Sequence, residues 1–178
     1  MIFLSIKNRN KNLIITIKKF MNNDEFYMLQ AIKQAEIAFA SDEVPVGAVI
    51  VYENKIIAKA HNQVEVLKDA TAHAEMICIT QASSYLNNFR LLNCTLYITL
   101  EPCLMCAGAI INSRLSKVVY SAKETRVGAH GSFIDVFEKK HPIHTVEIQG
   151  GVLENISSDL LKKFFQKKRS DKTALDLI

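Results

Sequence analysis

The chain has 178 residues, of which 49% are hydrophobic and 22% are charged, and its formal net charge is +4. This size and composition fit one globular domain with a sizeable core, and no apolar run approaches the roughly 20 residues that a membrane span needs. The mild basic excess permits an anionic partner without requiring one. Four cysteines are too few for a disulfide scaffold, and their spacing is more typical of a metal or redox site in a reducing compartment.

The first twenty residues differ from the rest, because they hold five Lys or Arg residues and no acidic residue. We predict that residues 1–20 are a basic extension, either poorly ordered or the product of an over-long gene assignment with Met21 as the true start. A targeting peptide is disfavoured, because the apolar stretches are short and interrupted by lysine. The folded domain is predicted over residues 21–170, followed by a C-terminal tail over residues 171–178.

The first predicted elements are a helix and a hairpin. Residues 22–40 carry apolar side chains at helical spacing, and Asn23 is the predicted cap. Two β-rich segments, Val46 to Tyr52 and Lys55 to His61, flank a two-residue turn and predict an antiparallel hairpin.

Helices and strands then alternate along the chain. The predicted elements are a helix over 71–86, a strand over 95–99, a helix over 103–113, strands over 117–122 and 144–149, and a closing helix over 157–169 with a serine cap. Proline at position 102 suits a helix entry, because its missing N–H is not needed there. This order predicts an α/β fold, a three-layer α-β-α sandwich with a central mixed five-stranded sheet.

Two cysteines at the start of the third predicted helix are candidate metal ligands. Cys103 and Cys106 are three residues apart, so their sulfurs lie on one helix face, and a helix start favours thiolates. Two thiolates at this spacing are half of a tetrahedral zinc site. A single C-x-x-C is also compatible with a redox pair or with two core thiols.

A histidine and a glutamate begin the second predicted helix. If His73 is a third ligand, one coordination position stays open for water, which is the catalytic pattern of zinc sites, and Glu75 is then the nearest acid–base group. On a regular helix, residues two apart point about 200° apart. The two side chains can therefore share a site only if His73 lies at or beyond the helix end. The plainer interpretation is a solvated histidine and a first-turn glutamate that favours the helix dipole.

The two motifs together are more specific. "HAE" (73–75) followed by "EPCLMCAGAI" (101–110) resembles the H-x-E…P-C-x-x-C signature of zinc-dependent deaminases. Within that superfamily, which has the cytidine deaminase-like fold, the chain most resembles the bacterial tRNA-specific adenosine deaminases. The resemblance runs from about residue 24 to residue 169 and includes "EVPVGAVIV", "HNQV", "GAHGS" and "FFQKKR".

The resemblance implies a reaction and a set of site residues. One Zn²⁺ per subunit, held by His73, Cys103 and Cys106, activates water for attack at C6 of adenine, and Glu75 carries protons. The wobble adenosine, the first anticodon base, becomes inosine with release of ammonia. The implied partner is the tRNA anticodon stem-loop, the implied assembly is a homodimer in the cytoplasm, and no membrane is involved. The implied substrate-binding residues are Asn62, Val46, Ala48, Glu124, Phe165, Lys168 and Arg169.

These substrate-binding residues also have plainer interpretations. Val46 and Ala48 suit an ordinary strand core, and Asn62 suits a strand-end turn. The lysine-rich end of the closing helix is compatible with a solvated face around core phenylalanines, an interpretation that we favour for Phe164. We expect Cys78 and Cys94 to be buried thiols.

Two other functions remain open at this point. The first is a deaminase of the same fold that acts on free guanine, cytosine or a nucleotide. The second is a non-enzymatic RNA-binding module with a structural zinc or a redox C-x-x-C pair.

Overall fold

The computed structural model describes residues 22–138 and 141–175. The predicted extension at 1–20 and its alternative start at Met21 lie outside the described residues. The elements, in chain order, are α1 (Asn23–Ala40), β1 (Gly47–Tyr52), β2 (Lys55–His61), α2 (Val64–Leu67), α3 (Ala74–Leu86), β3 (Cys94–Leu100), α4 (Leu104–Asn112), β4 (Lys117–Ala122), β5 (Glu147–Gln149) and α5 (Glu154–Leu175).

The five strands form one mixed sheet in the order β2-β1-β3-β4-β5. β1 pairs antiparallel with both β2 and β3, which confirms the predicted hairpin, whereas β3, β4 and β5 run parallel to one another. The parallel pair β3 and β4 needs a crossover, and α4 supplies it.

Helices cover both faces of the sheet. On one face, α1 packs on β1 and β3, and its buried side chains meet Val49, Val51 and Tyr97. On the other face, α3 and α4 pack against the alternate positions, including Ala48 and Ile50. This division follows from the period of two along a strand. The predicted three-layer α-β-α sandwich is therefore confirmed.

Gly47 allows α1 to approach the sheet closely. A Cβ atom at this position would lie 2.2 Å from the carbonyl oxygen of Ala31 and 2.3 Å from the backbone nitrogen of Ala35. Both neighbours are helix backbone, which cannot move away cheaply. Glycine at the start of β1 thus fixes how near the helix lies to the edge of the sheet where the candidate site is found.

Several predicted boundaries were wrong. Asn22, not Asn23, caps α1, and it forms a reciprocal capping box with Glu25. Helix α3 begins at Ala74 and not at residue 71, because Thr71 donates two hydrogen bonds to the Asp69 carboxylate and so belongs to a turn.

The C-terminal half holds three further differences. β5 spans three residues and not six; His144, predicted to lie in it, instead has its ring 2.7 Å from the carbonyl oxygen of Leu115. Helix α5 begins at Glu154, so the predicted serine cap is wrong, and Ser157 is buried within the helix. The same helix continues to Leu175 and takes up part of the predicted 171–178 tail. In the first half of the chain, the short helix α2 was also not predicted.

Within the described residues, no helix is both long enough and apolar enough to cross a membrane.

Candidate active site

The candidate site lies at one edge of the sheet, where three strands end. Because β1 is antiparallel to β2 and β3, the start of β1 lies beside the ends of the other two strands. The backbone N–H of Asn62 donates to the carbonyl of Val46 at 2.9 Å, directly beyond the last strand pair. Leu100 ends β3 at the same edge. Residues far apart in sequence therefore meet there.

The predicted metal ligands lie at two helix starts. His73 is the N-cap of α3 and Cys103 is the N-cap of α4, and both have extended backbone angles. His73 is thus outside the regular helix, which removes the geometric conflict with Glu75 two residues later. Neither residue caps its helix with its side chain, so both side chains are available for other contacts. Cys106 follows in the first turn of α4 and is buried.

The three ligand atoms are close enough to share one metal ion. Nδ1 of His73 lies 3.7 Å from Sγ of Cys103 and 3.5 Å from Sγ of Cys106, and all three atoms lie within 4.8 Å of one another. In a tetrahedral zinc site, bonds of about 2.3 Å to sulfur and about 2.0 Å to nitrogen place these atoms roughly 3.6 Å apart. The donor set and its spacing fit Zn²⁺, with a fourth position left for a non-protein ligand.

The pKa values of the two thiols are shifted in opposite directions. A hydrogen bond from Cys106 lowers the pKa of the Cys103 thiol to about 4, and the same bond raises the pKa of Cys106. A hydrogen bond to Cys103 also raises the pKa of His73. Because a metal binds thiolates and neutral imidazole, occupation of this site would displace protons, and metal affinity should rise with pH.

Glu75 lies beside the ligands in the first turn of α3 and is only 4% exposed. Burial raises the pKa of its carboxyl from 4.5 to about 7. Such a group can both hold and release a proton near neutral pH, which is the property that general acid–base catalysis requires.

A cavity of about 290 Å³ opens above these residues. Its lining includes His73, Glu75 and Cys103, together with the predicted substrate-binding residues Val46, Asn62 and Glu124. Ala48 is not part of this lining, in contrast to the prediction. It faces the same side of β1 as Val46 but lies deeper along the strand, where the α3 and α4 layer covers it completely.

The other predicted substrate residues border two adjoining hollows. Phe165 and Arg169 line a groove of about 450 Å³ that shares Leu100, Glu124 and Arg126 with the first cavity. Lys168 borders a hollow on the other side of Phe165 and forms an ion pair with Asp42. Phe165 is 36% exposed, whereas Phe164 is buried, as predicted. The structure thus brings these residues to the rim of the cavity and not into it.

The remaining cysteines are buried away from the ligand group. Cys78 and Cys94 have no exposed surface, which confirms the prediction of buried thiols. Burial raises the pKa of both, that of Cys94 to about 11.

Two buried carboxylates in the cavity wall were missed by sequence reasoning. Glu43 and Glu101 are 1% and 2% exposed, and both line the cavity. Glu101 accepts hydrogen bonds from the backbone of Glu124 and His130 and from the Ser132 hydroxyl, so it ties the 124–132 loop to the end of β3. Both glutamates stand within motifs that carried the resemblance, but nothing in their local sequence indicated burial.

Comparison with known proteins agrees with this geometry. Residues 21–169 match the family model described as MafB19-like deaminase. The tRNA-specific adenosine deaminase of Bacillus subtilis is 44% identical over 154 residues, which cover 86% of this chain and 96% of that protein.

Two solved structures are similar as well. One comes from a study of A-to-I editing by tRNA:A34 deaminases at the wobble position of transfer RNA; it is 38% identical, has a TM-score of 0.73, and the match covers 76% of this chain and 99% of that one. The other is a guanine deaminase from Bacillus subtilis, 35% identical with a TM-score of 0.57, and the match covers 84% and 95% of the two chains. Because these matches cover most of both sequences, the chain belongs to the family of the bacterial tRNA-specific adenosine deaminases.

Proposed function

We propose that this protein deaminates the wobble adenosine of a tRNA anticodon to inosine, with water activated by one zinc ion per subunit and with release of ammonia. The reaction replaces the C6 amino group of adenine by the oxygen of water. The observation that carries the proposal is the convergence of His73, Cys103 and Cys106 beside the buried carboxyl of Glu75, at a cavity wall. The relatives that act on tRNA adenosine support the choice of substrate.

The ligand residues and Glu75 have separate roles in this proposal. His73, Cys103 and Cys106 would hold the zinc ion, which lowers the pKa of bound water and makes it a nucleophile at neutral pH. Glu75 takes one proton from the attacking water and gives it to N1 of the ring. It then takes the second proton from the added oxygen and gives it to the departing amine, which leaves as ammonia. Its buried position beside the ligand residues lets the same carboxyl serve each of these transfers in turn.

The cavity wall supplies contacts to the base. The Asn62 side chain provides an amide at the strand end, and Val46 provides an apolar surface, so the cavity combines one polar anchor with an apolar wall. An adenosine in a loop must leave its stack to enter, at a cost of a few kcal/mol. The cavity shares Leu100, Glu124 and Arg126 with the groove that Phe165 and Arg169 border, so we assign the flanking nucleotides to this groove.

The rim is suited to RNA in charge and shape. Exposed Phe165 offers a ring face for a base, and Lys168, Arg169 and Arg126 offer cations for phosphates. Glu124 lies between the cavity and the groove and accepts hydrogen bonds from Arg126. From this position we propose that it contacts a ribose of the anticodon loop, as the family resemblance implies. The homodimer and the cytoplasmic location rest on the family resemblance and are proposed with it.

The test is deamination of a defined RNA. Zinc-loaded protein is incubated with an anticodon stem-loop that carries adenosine at the wobble position, and inosine is measured by mass spectrometry. We expect inosine at that position only. Glu75→Gln should retain zinc and lose turnover by about 10²–10⁴-fold, because it removes the proton carrier and keeps the shape.

Free guanine, cytosine and nucleosides serve as competing substrates in the same assay. Their deamination with no change in the RNA would overturn the tRNA proposal and favour a free-base deaminase. Zinc-loaded protein that binds the RNA and changes no substrate would favour the non-enzymatic module. Light scattering of the same preparation measures the subunit number.

A further inference from the structure

Glu43 is a buried carboxylate in the cavity wall, and it accepts hydrogen bonds from two donors. One oxygen accepts from the side-chain amide nitrogen of Asn62 at 3.0 Å, and the other accepts from the backbone N–H of Val66 at 2.8 Å. The partners come from 19 and 23 residues further along the chain, so neither contact is local. Glu43 itself follows the end of α1 and precedes β1.

The chemistry of these contacts requires a group that only accepts. A backbone N–H can only donate, and the Asn62 amide presents its nitrogen to the carboxylate. A carboxylate satisfies both donors at once. Glutamine in this position has one oxygen and one NH₂ group, so it always places a donor against a donor on one side. One of the two hydrogen bonds would therefore be lost in either orientation, unless the Asn62 amide turned over and presented its oxygen to the glutamine NH₂ group. Either response changes what Asn62 presents to the cavity or frees Val66.

Glu43 thereby determines which side of the Asn62 amide faces the cavity. With the nitrogen turned to Glu43, the amide oxygen and one N–H remain for another partner. Asn62 is 6% exposed and lines the cavity, so a molecule bound there can reach these two groups. The second oxygen of Glu43 holds Val66 of α2. Val64 and Glu65 of the same short helix line the cavity, so Glu43 also supports this part of the cavity wall.

We infer that Glu43 is a positioning residue for substrate recognition: it fixes the orientation of the Asn62 amide towards the base and holds the α2 wall of the cavity. This inference rests on the proposed function, in which Asn62 contacts the target nucleoside. Glu43 acts through Asn62 and the wall. It does not touch the reacting atoms.

A double-mutant cycle tests the inference in the full zinc-loaded chain. We expect Glu43→Gln to lower kcat/KM on the stem-loop by about tenfold, mostly through KM, because a ground-state contact is lost. In an Asn62→Ala background, the same change should cost clearly less than tenfold, because the group that it orients is gone and only the contact to α2 is left to lose. A full tenfold loss in that background would overturn the inference. Glu36→Gln, an exposed position on α1, is the matched control and should leave both constants unchanged.

A structural readout keeps the inference separate from the proposed function. In ¹⁵N-labelled protein, Glu43→Gln should shift the side-chain NH₂ signals of Asn62. If the hydrogen bond lost is the one from Val66, amide exchange at Val66 should also speed by about tenfold or more. Unchanged signals would overturn the inference even if the RNA is deaminated. If the wild type does not deaminate the RNA but Glu43→Gln still changes the Asn62 signals, the proposed function is wrong and the positioning role of Glu43 stands. If Glu43→Gln does not fold, Glu43→Asp, which keeps the carboxylate one methylene shorter, is carried through the same cycle.

Discussion

Replacing Glu75 by glutamine should stabilise the metal-free protein, and the gain should depend on pH. The carboxyl is buried and its pKa is raised from 4.5 to about 7, which corresponds to about 3 kcal/mol against its ionised form. The folded state therefore binds this proton more tightly than the unfolded state. Its contribution to stability is complete below pH 4.5 and is lost as the pH rises from 4.5 to about 7. Glutamine does not titrate, so the variant does not undergo this loss.

The assay is urea unfolding of both proteins, followed by circular dichroism with a chelator and a reducing agent. The difference in unfolding free energy, variant minus wild type, should rise by about 2.5 kcal/mol between pH 5 and pH 8. Groups that do not contact Glu75 titrate alike in both proteins and cancel in the difference. Glu36→Gln, which alters an exposed carboxylate on α1, should give a difference that is flat with pH.

Zinc provides a second check on the same reasoning. A cation held by the neighbouring ligands favours the ionised carboxylate, so zinc should reduce the pH-dependent part of the difference. A difference that does not vary with pH in the metal-free protein would refute the argument that burial keeps Glu75 protonated. A pH-dependent difference would also show that the buried carboxyl of Glu75, which suits proton transfer, lowers the stability of the metal-free protein at neutral pH.

Three further predictions follow from the site and its rim. Cys106→Ser should weaken zinc binding by more than about 100-fold in a competition with a chelating dye, because a ligand is lost; retained affinity would remove Cys106 from the ligand set. Glu101→Gln should speed amide exchange in the 124–132 loop while the core strands stay protected, because the loop is tied to that carboxylate; equal exchange in both proteins would contradict the anchoring role. Arg169→Ala should reduce the slope of log affinity against log salt for the stem-loop by about 1; an unchanged slope would mean that Arg169 makes no phosphate contact.

The elements of the fold were largely predictable from local pattern. Segments rich in β-branched and other apolar residues, with turn residues between them, predicted the hairpin and the central strands. Two of these strands, β2 and β4, have the predicted bounds. Helix ends were harder, because they depend on side-chain contacts of the turn before them. At α3, the Asp69–Thr71 turn delays the helix, and this delay puts His73 at the cap position where it meets the cysteines.

The sequence by itself identified the candidate ligands and the candidate proton carrier of the site. Each motif alone is open to plainer interpretations, but "HAE" and "EPCLMCAGAI" together resemble the signature of zinc-dependent deaminases. The proximity of His73, Cys103 and Cys106 could be anticipated because residue type and short-range spacing are local properties of a chain; the zinc ion and the reaction remain proposals.

The tertiary structure decided which side chains form the cavity and which support it. Val46, just before β1, and Ala48 have the same local pattern and both are buried, yet only Val46 lines the cavity. Glu43 and Glu101 appear in the sequence as ordinary charged residues before proline or valine. Each is buried only because donors from segments about 19 to 31 residues away converge on its carboxylate. A buried charge needs partners that satisfy it, and only the folded chain brings those partners together.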